Sequence, residues 1–150
     1  MSDPRRILVI QLRRIGDVIL TTPAVAALKA RWPRAELDFL VEPAGAEALA
    51  GNPNIHELVV YRARGPLGAL AWMRRIRRKR YDWVIDFMGN PRSAILTAFS
   101  GAAVRAGPAH VSHRWAYNRP LTQSSTTHYA GQEKIRVLGE LGVPRNFPFL

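Results

Sequence analysis

The sequence predicts a doubly wound α/β domain, a Rossmann-like parallel sheet with helices on both faces, and three observations carry that prediction. Short apolar, β-branched runs recur at Ile7 to Leu12, Leu37 to Val41, Glu57 to Tyr61 and Trp83 to Phe87, with Val104 to Ala106 as a short fifth. Runs of this kind are strands buried on both faces. Helical patterns alternate with them across short connections rich in Pro, Gly and Asn, so right-handed βαβ units are the economical topology. The length of 150 residues and the 47% hydrophobic content suit one domain with one sizeable core.

The helical patterns run from Pro23 to Trp32, Ala44 to Ala50, Leu67 to Arg80, Arg92 to Phe99 and about Tyr129 to Leu141. In the first, Val25, Leu28 and Trp32 fall at helical spacing, Pro23 suits the opening turn, Thr22 is placed to cap, and Pro33 stops the helix. In the third, Leu67, Leu70, Ala71 and Ile76 are expected to face the sheet, with Trp72 and the arginines outward. In the last, Ile135, Leu138 and Leu141 point inward. The polar stretch from His110 to Thr127 reads as a substrate-facing loop. The segment from Gly142 to Pro148 reads as the start of an interdomain connection.

Twenty-two Lys and Arg against eleven Asp and Glu give a formal charge of +11. That excess favours an anionic partner: nucleic acid, a phospholipid surface or a phosphorylated substrate. It is concentrated between Arg62 and Arg80, where no acidic residue occurs. Arg74, Arg75, Arg77, Arg78, Lys79 and Arg80 read either as a solvated helix face or as a surface for anionic lipid headgroups. The same patch could grip nucleic acid, but no zinc-finger spacing or RNP aromatic signature accompanies it. There are no cysteines, which excludes disulfides and thiolate metal sites and is compatible with a reducing cytoplasm. The apolar stretch from Ile7 to Leu12, five apolar residues broken by Gln11, is too short for a signal peptide or a membrane span. His110 and His113 have a metal-compatible spacing but no third ligand type nearby, so they read as loop histidines and no metal is expected.

In an open α/β sheet the loops after the strands hold the ligand. The first of these, Arg13-Arg14-Ile15-Gly16-Asp17, leads to Thr21-Thr22-Pro23 and contains neither the dinucleotide nor the nucleotide triphosphate glycine fingerprint. Asp17 beside two arginines suits a base that accepts a proton from a hydroxyl; equally, it suits a helix cap. The turn after the fourth strand, Asp86 to Ser93, combines Gly89 for a tight turn with Pro91 at a helix start. Arg92 and Ser93 there either hold a phosphate or carboxylate or serve the turn, and Asp86 is placed to position Arg92. His128 could cap, pack or bind substrate.

The run from Ile7 to Ala24, with its Gly-Asp-Val and Thr-Thr-Pro-Ala, resembles the opening of glycosyltransferase family 9, the ADP-heptose:lipopolysaccharide heptosyltransferases. Asp86-Phe-Met-Gly-Asn-Pro-Arg-Ser-Ala, Ser100-Gly-Ala-Ala-Val-Arg-Ala-Gly and Leu138-Gly-Glu-Leu-Gly after His128 match in order and spacing. The resemblance implies that residues 1–150 are the N-terminal, acceptor-binding half of a two-domain GT-B enzyme, with the donor-binding domain absent and turnover by this chain alone not expected. It implies inverting transfer of heptose from ADP-heptose to a lipid A-linked core oligosaccharide, with no cofactor. Asp17 matches the base, and Arg13, Arg14, Gly16, Thr21, Thr22, Arg92, Ser93 and His128 are the expected acceptor-binding residues. A cytoplasmic location peripheral to an anionic inner membrane follows, with no nucleic acid as partner. The rival reading is a non-catalytic α/β module that binds anionic lipid or nucleic acid through Arg74 to Arg80.

Overall fold

The computed structural model describes residues 3–109, 113–122 and 130–143. Six parallel strands form one sheet in the order β3-β2-β1-β4-β5-β6. Five of them, β1 (Arg6–Ile10), β2 (Glu36–Val41), β3 (Glu57–Val60), β4 (Trp83–Asp86) and β5 (Val104–Pro108), fall on the predicted runs. The sixth, β6 (Arg119–Leu121), lies within the stretch expected to be loop, and pairs Pro120 with Gly107 and Leu121 with Pro108 of β5. A proline argues against a strand except at a sheet edge, where its missing N–H goes unneeded. β6 holds that edge position.

Alternation along the strands divides the core between two faces. On the first, Ile7, Val9, Phe39 and Ile85 meet Val25 and Leu28 of α2 (Thr22–Arg31) and Ile135 and Leu138 of α6 (Ala130–Leu138), with α1 (Ile15–Leu20) and α3 (Pro43–Leu49) completing the layer. On the second, Leu8, Ile10, Leu40 and Val84 meet Trp72 and Ile76 of α4 (Gly65–Arg78) and Leu96 of α5 (Pro91–Ala98). A 3-10 turn, Arg114–Ala116, packs on α5. Ile135, Leu138 and Leu141 are buried as expected.

Two expectations are corrected. Thr22 does not cap α2, because α1 runs almost directly into it and exposes its own last carbonyls there. Thr21 Oγ1 donates to Asp17 O at 2.7 Å and Thr22 Oγ1 to Ile19 O at 2.7 Å. Likewise α4 is rotated relative to the expectation: Trp72 is buried, whereas Leu67, Leu70 and Ala71 are exposed. At about 100° per residue Leu67, Leu70 and Ala71 stand opposite Ile76. The indole therefore turns inward at i−4 from Ile76 and packs on Tyr61, with ring centroids 5.0 Å apart.

Candidate functional site

A cavity of about 680 Å³ opens at the carboxyl ends of β1 and β4. These neighbours are where the strand order reverses, the place where parallel sheets of this kind bind ligands. Gln11, Arg13, Arg14 and Asp17 line it after β1, Phe87, Met88 and Asn90 after β4, and Lys134 from α6.

Asp17 lies in the first turn of α1, half-buried, where the exposed N–H groups of the helix favour a carboxylate. Arg14 precedes that helix with φ 56° and ψ 119°, a conformation that side-chain-bearing residues rarely adopt and that costs about 1–3 kcal/mol. Replacing Arg14 by glycine should therefore raise stability by about 1 kcal/mol in urea unfolding, whereas alanine, which keeps the strain, should not. Equal effects of the two substitutions would show that the backbone there is unstrained.

Gln11 was visible in the sequence only as the polar interruption of the first strand. It is buried, its Nε2 donates to Arg13 O at 3.3 Å, and its Oε1 has no hydrogen-bond partner among the described residues. A buried acceptor without a partner is costly.

Lys134 was also missed, although it lies on the inward stripe of α6, four residues before Leu138. Its ammonium sits 5.5 Å from the centroid of the Phe87 ring. Burial pulls its pKa below the ordinary 10.5, and the negative charge of Asp17 opposes that shift. The folded state therefore binds this proton less readily than the unfolded chain, so stability rises with pH from the folded pKa of Lys134 towards 10.5. Lys134→Met should remove that rise, measured as urea midpoints of both proteins between neutral and alkaline pH; parallel profiles would refute it.

The turn after β4 is held from beneath. Asp86, fully buried, accepts hydrogen bonds from Tyr117 Oη at 2.6 Å, Met88 N at 2.9 Å and Gly89 N at 3.1 Å. Burial raises its pKa, opposed by these bonds, Tyr117's foremost. Gly89, at φ 69°, makes the tight turn, and His113 Nε2 bonds to its carbonyl oxygen. Asp86 does not position Arg92, since the buried carboxylate is already occupied by these donors. Arg92 instead pairs with Glu42 at 3.6 Å and lies over the Tyr61 ring. Ser93 is buried in a capping box with Asn90, giving N–H to Oδ1 at 2.7 Å and receiving Asn90 N–H at 3.1 Å. Its hydroxyl serves the turn.

Among the expected site residues, then, Asp17, Arg13 and Arg14 share the cavity. Gly16 is exposed beside them, with open space where a side chain would stand. Thr21 and Ser93 are buried, Thr22 is half-buried, and Arg92 faces Glu42. His128 and His110 lie outside the described residues. On the basic helix, Arg74, Arg75, Arg77 and Arg78 are exposed and Arg80 follows them, also exposed. Lys79 departs from the group: half-buried, it bonds Glu57 and stands 3.9 Å from the buried Asp38. Among the described residues no cluster of His, Asp or Glu is placed to hold a metal ion, and no helix is long and apolar enough to cross a membrane.

No protein-family model matches the chain. A solved family 9 glycosyl transferase from Veillonella parvula superimposes with a TM-score of 0.81 at 28% identity, covering 93% of this chain and 42% of that one. The chain is related to glycosyltransferase family 9. Escherichia coli heptosyltransferase WaaC, solved with ADP-2-deoxy-2-fluoro heptose, shares the fold with a TM-score of 0.79 at 22% identity, over 96% of this chain and 50% of that one. Lipopolysaccharide heptosyltransferase 3 of Escherichia coli is 27% identical across 88% of this chain, and lipopolysaccharide heptosyltransferase 1 of Pseudomonas aeruginosa is 32% identical across 68%. The chain spans 41% and 32% of those two curated relatives. In each family 9 relative the match is therefore to part of a longer protein.

Proposed function

We propose that this chain is the N-terminal, acceptor-binding half of a GT-B glycosyltransferase that transfers heptose, with inversion, from ADP-heptose to the inner core of lipopolysaccharide. The observation that carries the reading is Asp17, a carboxylate in a cavity with Arg13, Arg14 and Lys134 at the reversal of strand order, in a chain related to family 9. In this reaction the Asp17 carboxylate takes the proton of the acceptor hydroxyl while that oxygen attacks the anomeric carbon. The bond from that carbon to the diphosphate oxygen breaks, and ADP leaves with the electron pair. The three cations hold acidic groups of a lipid A-linked oligosaccharide. ADP-heptose is a substrate held mainly by a second domain, and neither a metal nor a resident cofactor has a role. The basic side of α4 supports a reading in which the protein works at the cytoplasmic face of an anionic membrane.

The test is transfer from ADP-heptose by a protein joining this chain to a donor-binding domain, with Asp17→Asn as its control. Transfer that depends on Asp17 supports the reading. Transfer indifferent to Asp17 removes the base, and no transfer, with lipid or nucleic-acid binding that depends on Arg74 to Arg78, favours a non-catalytic binding module.

A further inference from the structure

Face two of the sheet, covered by α4, α5 and the 3-10 turn, exposes an unusual set of side chains. Leu67 is 81% exposed, Leu70 41%, Ile95 40%, Phe99 48% and Trp115 63%; the only other large hydrophobic residues exposed among the described residues are Ile15 and Ile19 on α1. α4 packs on α5, which packs on the 3-10 turn carrying Trp115, so the five share one side of the domain.

Basic charge dominates this side, and the nearby acids Glu42 and Glu57 are paired with Arg92 and Lys79. No acidic residue occurs from Leu58 to Tyr81 or from Phe87 to Gln132. The two acids between these stretches are committed elsewhere: Asp86 is buried, and Asp82 accepts the Arg5 and Arg6 backbone N–H groups. Arg74 and Arg78 lie on the same outer stripe of α4 as Leu67 and Ala71, and Arg77 Nη1 reaches Phe99 O at 3.5 Å, joining the two helices. No salt bridge among the described residues involves Arg74, Arg77 or Arg78.

We infer that the α4 and α5 face inserts shallowly into an anionic lipid bilayer, with Leu67, Leu70, Phe99 and Trp115 entering the headgroup boundary and Arg74 and Arg78 meeting lipid phosphates. This rests on the membrane reading above and extends it from charge attraction to apolar insertion. A nucleic-acid surface needs the cations but gains little from leucines exposed to water. An interfacial helix needs both, and tryptophan favours the boundary between headgroups and acyl chains. Charge complementarity and the apolar set together fit a bilayer.

The experiment is flotation of the 150-residue chain with vesicles of phosphatidylcholine alone or enriched in phosphatidylglycerol, with tryptophan emission recorded. Trp32, Trp72 and Trp83 are buried, so a blue shift and quenching by brominated acyl chains report Trp115 and should vanish in Trp115→Phe. The chain should float with the anionic vesicles only. Leu67→Ser with Phe99→Ser should weaken partition roughly tenfold, and Arg74→Glu with Arg78→Glu by a similar factor. All four positions are exposed, and an unchanged urea midpoint checks that the fold survives. Flotation that needs the arginines but neither Leu67 nor Phe99, with no shift at Trp115, overturns insertion and leaves the membrane reading standing. Absence of flotation overturns both, and tight binding to RNA or DNA in its place would reassign the face to nucleic acid.

Discussion

Gly107→Ala is expected to lower stability by about 2–6 kcal/mol in urea unfolding. The Cβ of an alanine at this position would stand 2.6 Å from Tyr117 Cδ1 and closer still to Cε1 and Cζ, deep in β5 where the backbone has no slack. Moving the ring breaks the bond from Tyr117 Oη to Asp86, and a fully buried carboxyl then loses its hydroxyl donor. Overpacking and the lost bond each contribute about 1–3 kcal/mol. Tyr117→Phe isolates the second contribution, because it keeps the ring and removes the hydroxyl. It has a pH signature as well. Asp86 is already held above its ordinary 3.8, so its contribution is greatest below that value and is lost as pH rises through the folded pKa. Without the Tyr117 hydroxyl the folded pKa rises further, and the loss of stability with rising pH should steepen. A Gly107→Ala protein as stable as the parent would mean that Tyr117 does not fill the space against β5.

Asp17→Asn, in a protein that also carries the donor-binding domain, should lower the rate of heptose transfer by roughly a hundred- to ten-thousand-fold, the span expected when a positioned general base is removed. Asparagine keeps the size and the hydrogen-bonding reach of the side chain, and the hydrogen bond from Thr21 Oγ1 goes to the Asp17 backbone oxygen, so the end of α1 should persist. The loss should therefore fall on kcat with little change in acceptor KM. An increase in KM at unchanged kcat would make Asp17 a binding residue only.

The fold was legible wherever burial on both faces wrote a largely apolar run, as in β1, β2 and β4, even with the buried Asp38 inside β2. β6 was not, because three residues that include Pro120 carry no such run, and the pairing that makes them a strand comes entirely from β5. The orientation of α4 was misread for a related reason. An amphipathic helix with leucines on one side and an indole on the other has two apolar stripes, and only contact with Tyr61 decides which one is inside. In the site, Asp17, Arg13 and Arg14 were legible as charged residues following a strand. Lys134 is 117 positions from Asp17 along the chain, and only the packing of α6 against α1 and α2 brings it to the cavity. Gln11 looked like an interruption; its unpartnered oxygen exists only in three dimensions.

The short β6 edge has a consequence for assembly. A sheet grows sideways when a newcomer finds a continuous row of free amides and carbonyls, the same property that lets strands from different molecules zip into fibrils. β6 offers three residues, and the middle one, Pro120, contributes no amide hydrogen. At the other margin β3 has four residues and carries the Glu57–Lys79 pair at its start. Among the described residues both margins are short, and the missing amide hydrogen of Pro120 makes the β6 edge a poor template for pairing with another copy of the domain.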